Sequence, residues 1–269
     1  MADPDLTAAW AYETELVAKL FEPWARRAVE VAKPLTGEVV LDLACGTGIG
    51  VRLMSELVGK HGKIISVDKD PSMVCVAKQL YSKIMNKNKT ETEWYDCDAE
   101  SLLLDRNTLD LCTLLQGPNF LSDPTRVLKN VFDALKPSGR VVGSAWGRIE
   151  ENKGHYAIAT ALEKLGFQTA LKPFSMCEIT SLQNVFTGSG FFVERMITEQ
   201  KIIRFDTVKD FISGVAAGAP ATRHAISQLE VNSYDYFLKL VEDILSIYSS
   251  SNEVALPTQA HIVMAMPAE

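Results

Sequence analysis

Leu41-Asp42-Leu43-Ala44-Cys45-Gly46-Thr47-Gly48-Ile49-Gly50 is the stretch that decides the fold, because an apolar run ends there directly in a glycine-rich turn. Residues 38–43 read as a short buried strand, the glycines as a turn, and residues 51–58 as a helix by the spacing of their apolar side chains. The unit then repeats. Residues 63–68 predict a second strand, Pro71 opens a helix at a favourable first-turn position, and residues 74–85 continue it. Residues 93–96 and 108–115 predict two further strands, residues 125–135 a helix stopped by Lys136-Pro137-Ser138-Gly139, and residues 140–145 a fifth strand. Strands alternating with helices of this length imply βαβ units and a mostly parallel sheet covered on both faces. In such sheets the ligand crevice lies at the carboxyl ends of the strands.

Upstream, residues 7–33 read as a helix broken or kinked near Pro23 and closed by Pro34 and Gly37. Beyond residue 150 the pattern loosens. Residues 155–165, 178–187, 208–217 and 225–249 read as helical, residues 191–204 as one or two strands, and residues 260–266 as a last strand.

Gly46, Gly48 and Gly50 are spaced GxGxG, whereas a dinucleotide fingerprint would need glycine where Val51 stands. A ligand without phosphate needs only a turn lacking side chains, so that it can lie on the backbone. Asp42, near the strand end, adds a carboxylate that a phosphate would avoid and an ammonium would favour. Asp68 ends the second strand, where a carboxylate can accept hydrogen bonds from both hydroxyls of a ribose. Taken singly, a structural turn and a solvated carboxylate account for these features; together they point to a nucleoside ligand.

Composition narrows the partners. The 269 residues are 47% hydrophobic and 23% charged, as in globular proteins. A formal net charge of -7 argues against a surface that holds nucleic acid and favours a small substrate. No apolar run approaches a membrane span, and the opening MADPDLTAAW carries no signal-peptide pattern. Cys45, Cys75, Cys97, Cys112 and Cys177 are odd in number, far apart and without a CxxC pair, which suits a reducing cytosol and buried thiols. A thiolate cluster for a soft metal or metalloid is the alternative.

The strings LDLACGTG, VDKDPSM, CDAE and LDLCTLLQGPNFLSDPTRVLKNVFDALKPSGRV, in that order, resemble the class I S-adenosylmethionine-dependent methyltransferases. Within that class the chain is similar to the ubiquinone/menaquinone C-methyltransferases and related small-molecule enzymes, chiefly over residues 38–145. The resemblance implies a Rossmann-like, mostly parallel seven-stranded sheet with an antiparallel last strand, an N-terminal helical cap over residues 1–36 and a methyltransferase domain over 37–269. In that domain, residues 38–146 would form the cofactor core and residues 149–250 the helical lid and substrate region. It also implies that Asp42 and the backbone of Ala44, Cys45, Gly46, Thr47 and Gly48 hold the methionine end of the cofactor. Asp68 would hold the ribose, Lys69, Asp70 and Met73 would border the adenine, and Asp98 would accept the adenine amino group with the Ala99 amide nearby. Gln116 would face the methionine portion and the transferable methyl. Two positions depart from the family pattern: Cys97 stands where glycine is usual before the acidic residue, and Pro137-Ser138-Gly139 replaces Pro-Gly-Gly.

The expected reaction is in-line transfer of a methyl to the O, N, C or S of a small acceptor, with no metal. The alternatives are a catalyst that uses the cofactor without transferring methyl, and a non-catalytic partner subunit. Trp10, Tyr12, Phe21 and Trp24 are candidates to fold over a cationic cofactor, with amphipathic packing as the competing account. Tyr12, His155 and His224 are the candidates for a general base or orienting group. Gln116-Gly117-Pro118-Asn119 is unlike the Asn/Asp-Pro-Pro-aromatic motif of nucleic-acid amino-methylating enzymes. No carboxylate cluster at that strand end suggests a catechol-type magnesium site. Gly214, Gly218 and Pro220 read as turns or hinges in the lid.

Overall fold

The computed structural model describes residues 6–84, 90–167 and 172–268. In chain order the elements are α1 (Thr7–Ala11), a π-helical segment (Tyr12–Phe21), α2 (Glu22–Ala32), β1 (Val39–Leu43), α3 (Ile49–Val58), β2 (Lys63–Asp68), α4 (Pro71–Ile84), β3 (Glu91–Asp96) and β4 (Leu109–Leu114). They continue with α5 (Pro124–Ala134), β5 (Leu135–Trp146), α6 (Lys153–Lys164), α7 (Ile179–Thr187), β6 (Phe191–Phe205), α8 (Val208–Gly218), α9 (Pro220–Ser227), α10 (Val231–Leu245) and β7 (Val254–Pro267). The expected end of α4, Met85, lies outside the described residues.

The sheet order is β3-β2-β1-β4-β5-β7-β6. The first five strands run parallel, and β7 inserts antiparallel between β5 and β6. This is the expected Rossmann-like sheet of seven strands. Successive residues of the central strands alternate between two apolar layers, as a sheet covered on both faces requires. Val40, Leu111, Val142 and Ile262 face the layer of α2, α3 and α4. Leu41, Cys112, Val141 and Val263 face the layer of α5 and α7. A third cluster, including Leu16, Leu20, Trp24, Trp146, Phe211 and Phe237, packs the first helix against α6, α8 and α10.

Four sequence expectations change. No break occurs at Pro23: it sits in the first turn of α2, where its missing N–H is not required, and the irregularity lies upstream in the π-helical residues. β5 begins at Leu135 directly after α5. Its register to β4 passes from Leu109↔Leu135 to Leu111↔Arg140, so residues 136–139 form a bulge within the strand rather than a turn before it. β7 starts at Val254, earlier than expected, because β6 is one continuous strand that pairs with it down to Phe205↔Val254. The expected helix over residues 225–249 is divided, with α9 ending at Ser227 and α10 beginning at Val231.

Of the three expected turn or hinge positions, Pro220 opens α9 directly after the break at Ala219, whereas Gly214 and Gly218 are packing positions. Both lie in α8 facing the π-helical segment, and an added Cβ at Gly218 would stand 2.7 Å from Tyr12 Cδ2 and 3.0 Å from Leu16 Cδ2. At Gly214 it would stand 3.2 Å from the Glu15 carbonyl oxygen. Their smallness lets two helices approach closely. Gly218→Ala is therefore expected to cost about 1–3 kcal/mol through overpacking, seen as a lower midpoint in urea denaturation; an unchanged midpoint would show that Tyr12 yields freely.

Candidate active site

β1 and β4 are neighbours, and each is followed within two residues by a non-glycine residue with left-handed backbone, Ala44 at φ 53° and Gln116 at φ 53°. Such residues cost of order 1–3 kcal/mol and persist where surrounding structure fixes them. Between them and the first helix lies a cavity of about 300 Å³ at the carboxyl ends of the parallel strands. Its size suits a small molecule.

The three glycines of the turn serve three purposes. Gly46 (φ 54°) lines the cavity, and an added Cβ there would meet only Tyr12, at 3.9 Å or more. Gly48 (φ 83°) is the N-cap of α3, and its Cβ would meet Ala77 Cβ at 3.1 Å. Gly50 makes room for a carboxylate, since its Cβ would stand 2.9 Å from Asp42 Oδ2. The pattern that suggested a bare backbone floor therefore supplies that floor at Gly46, while Gly48 and Gly50 allow close packing around it.

Asp42 is buried, and Thr113 Oγ1 donates to its Oδ1 at 2.6 Å. Burial pushes its pKa up to about 7; the Thr113 bond opposes the rise and the charge of Asp68 adds to it. Asp68 ends β2 beside the turn. The Gly46 N–H donates to Oδ2 at 2.8 Å and the Asp70 N–H to Oδ1 at 2.9 Å, which aims the carboxylate along the cavity floor. Burial nevertheless raises its pKa. Asp98, after β3, accepts the Glu100 N–H at 2.9 Å and also lines the cavity.

Of the expected cofactor residues, Asp42, Ala44, Cys45, Gly46, Asp68, Lys69, Asp70, Met73, Asp98, Ala99 and Gln116 all line this cavity. Thr47 and Gly48 do not. The Thr47 hydroxyl turns back to donate to Glu13 Oε2 at 2.5 Å, while Arg52 reaches both the Thr47 carbonyl oxygen and Glu13 Oε1 at 2.6 Å. This nearly buried ion pair ties the π-helical segment to the glycine turn. Glu13 carries no sequence signal, because its partners lie more than thirty residues away.

Tyr12 lines the cavity above Gly46, and its phenol pKa is raised, mainly by burial and then by the charges of Asp68 and Glu13. A neutral phenol there can donate a hydrogen bond but is a poor general base. Phe21 and Trp24 also line the cavity, and Tyr12 and Phe21 rings lie 5.3 Å apart. Trp10 stands elsewhere, beneath Lys83 at 5.5 Å. His155 and His224 do not line the cavity. His155 is enclosed by the rings of Trp146, Phe174 and Phe211, and burial lowers its pKa to about 4, so it remains neutral at physiological pH. His224 is exposed in the last turn of α9. The remaining lining includes Phe120, Leu121, Ser122, Ser144 and Gly218, none of which was expected to touch the cofactor.

All five cysteines are free. Burial raises the thiols of Cys45 and Cys97, both at the cavity. Among the described residues no three His, Cys, Asp or Glu gather as a metal site, so the thiolate cluster is not assembled there. No described helix is long and apolar enough to cross a membrane.

The chain is 35% identical over 124 residues to the demethylmenaquinone methyltransferase of Lactococcus lactis, covering 46% of this chain and 48% of that protein. It is 30% identical over 140 residues to the 2-phytyl-1,4-beta-naphthoquinone methyltransferase of Arabidopsis thaliana, covering 52% of each. The chain thus spans about half the length of the curated relatives it matches. Among solved structures, phosphoethanolamine N-methyltransferase 2 of Haemonchus contortus, in complex with S-adenosyl-L-methionine, shares the fold with a TM-score of 0.58 at 16% identity. That likeness covers 98% of this chain and 58% of the other. The sequence model of the ubiE/COQ5 methyltransferase family matches residues 15–160, more than half of the chain, across the strands and turns that build the cavity. The chain belongs to the ubiE/COQ5 methyltransferase family.

Proposed function

We propose that the protein binds S-adenosylmethionine in this cavity and transfers its methyl to a small-molecule acceptor by in-line displacement. The observation that carries the reading is Asp68: two backbone N–H groups aim its carboxylate beside a turn whose Gly46 leaves the floor bare. The remaining lone pairs of that carboxylate suit a ribose diol. Asp98 and Ala99 suit an adenine edge, and Lys69, Asp70 and Met73 border it. Asp42, Asp68, Asp70 and Asp98 together favour a cation.

The cofactor supplies the methyl on a sulfonium that is its own leaving group. What remains for the chain is to orient the acceptor and exclude water. Phe21, Trp24 and Tyr12 close the cavity on the side of the first helix and give it an aromatic wall suited to a positive charge. In this reading the segment through residue 36 is a cap. The helices between residues 149 and 250 select the acceptor, while β6 within that span completes the sheet. The free cysteines support a reducing setting such as the cytosol, and a cavity of about 300 Å³ favours a small acceptor over nucleic acid.

The relatives' names make ring-containing quinols the first acceptors to try. Incubation with S-adenosylmethionine and a panel of quinols, phenols, amines and thiols is expected to release S-adenosylhomocysteine with one class. Mass spectrometry should show that acceptor heavier by one methyl. Turnover of an acceptor without added methyl would favour a non-methylating catalyst instead.

A further inference from the structure

We propose that Gln116 selects the methyl acceptor, its side-chain amide holding an uncharged ring that carries a hydrogen-bond donor and a hydrogen-bond acceptor on adjacent atoms. The proposal rests on the function proposed above. Gln116 lines the cavity and is only 7% exposed, yet neither Nε2 nor Oε1 has a hydrogen-bond partner. Buried amides are nearly always partnered, so such a pair calls for a ligand. The backbone of Gln116, which carries the amide, is held in place. Its left-handed backbone is fixed by its own N–H, which donates to Ser144 Oγ at 2.9 Å. The following Gly117 is pressed so closely that an added Cβ would stand 2.4 Å from Leu114 Cδ1 and 3.1 Å from Ala44 Cβ.

The sheet order separates the two halves of the cavity. β2 and β3 lie on one side of β1, and β4 and β5 on the other. The four lining carboxylates, Asp42, Asp68, Asp70 and Asp98, sit on β1 or after β2 and β3, as does the lining lysine, Lys69. On the side of β4 and β5 the lining polar side chains are Gln116, Ser144 and Ser122, all uncharged, with Leu121, Phe120 and Phe21 around them. A carboxylate or phosphate on the acceptor would find no cation there. The amide presents N–H and C=O together, which complements a group offering the reverse pair, as a lactam edge does. A site built to hydrogen-bond a ligand discriminates strongly against an analogue that leaves its groups unpaired. The sequence expectation has Gln116 facing the methionine portion and the transferable methyl; the proposal uses its amide on the acceptor side of that methyl.

The test uses three ring compounds of nearly equal size: 2-quinolone, which has adjacent N–H and C=O; coumarin, which keeps only the carbonyl; and naphthalene, which has neither. Calorimetric titration of the full chain is done with and without saturating S-adenosylhomocysteine. The wild type is expected to bind 2-quinolone at least about tenfold more tightly than naphthalene, with coumarin between. Gln116→Met, of similar length, should bring the three within about threefold, a larger change than any in its S-adenosylhomocysteine affinity. Gln116→Glu, which accepts but does not donate, should retain 2-quinolone and lose coumarin. The proposal is overturned if the wild type ranks the probes no differently from Gln116→Met, or if Gln116→Met instead weakens S-adenosylhomocysteine tenfold. Failure of the wild type to bind S-adenosylhomocysteine at all would overturn the proposed function, and the probe ranking without it would still report on Gln116.

Discussion

Asp68→Ala is expected to weaken binding of S-adenosylhomocysteine by about a hundredfold to ten-thousandfold, measured by titration calorimetry. Two hydrogen bonds to a charged carboxylate contribute roughly 1.5–3 kcal/mol each, so their joint loss is about 3–6 kcal/mol. The structure adds a second route to the same loss. Asp68 also holds the amides of Gly46 and Asp70, so its removal frees the glycine turn and the loop after β2. Asp68→Asn separates the two contributions. Its amide oxygen can still accept one backbone N–H but its nitrogen cannot accept the other, and it carries no charge. An affinity for Asp68→Ala within threefold of wild type would remove Asp68 from the site.

Asp42→Asn is expected to stabilise the ligand-free protein above pH 7, by as much as ~4 kcal/mol, since each unit of pKa shift corresponds to about 1.4 kcal/mol. The sign follows from proton linkage. Asp42 rises from its ordinary 3.8 to about 7 in the folded protein, so between these values the folded state keeps a proton that the unfolded state has released. Stability contributed by this group is therefore full below about pH 4, falls as pH rises through the window, and stays low above it. Asparagine cannot ionise, yet it can accept the Thr113 hydrogen bond, so the variant escapes the loss. Urea denaturation at pH 4.5 and pH 8 should show the variant's advantage growing with pH. Equal differences at the two pH values would mean that Asp42 is not the titrating group. The same substitution should weaken binding of the positively charged S-adenosylmethionine, and binding to the wild type should strengthen as pH rises through 7.

Where neighbouring residues decide structure, the sequence was legible. β2 runs from Lys63 to Asp68 as its apolar pattern predicts, and Pro71 opens α4. Asp42 and Asp68 follow from strand ends and turns, Asp98 from the family resemblance, and all three line the cavity. What escaped reading depends on distant partners. The 136–139 bulge looks like a turn because Lys136-Pro137-Ser138-Gly139 has turn composition, and only pairing of Leu135 with Leu109 shows the strand already running. Thr47 sits in the motif, yet Glu13 draws its hydroxyl out of the cavity. His155 follows β5 closely enough to reach the site, but the rings of Trp146, Phe174 and Phe211 enclose it. Ser144 and Gly218 reach the cavity through the topology of distant elements.

The bonding of the first helix sets a timetable for folding. Trp24 Nε1 donates to Thr258 Oγ1 at 3.2 Å across 234 positions, Lys19 pairs with Asp206 across 187, and Arg27 with Glu199 across 172. The ribosome adds roughly 5–20 residues per second, so these partners follow the helix by many seconds. Leu16, Leu20 and Trp24 gain the last of their apolar cover only when β6, α8 and β7 have followed. The wall that closes the cavity over the glycine turn is made early and seated late. A nascent chain must therefore keep this helix from aggregation while the sheet beneath it assembles.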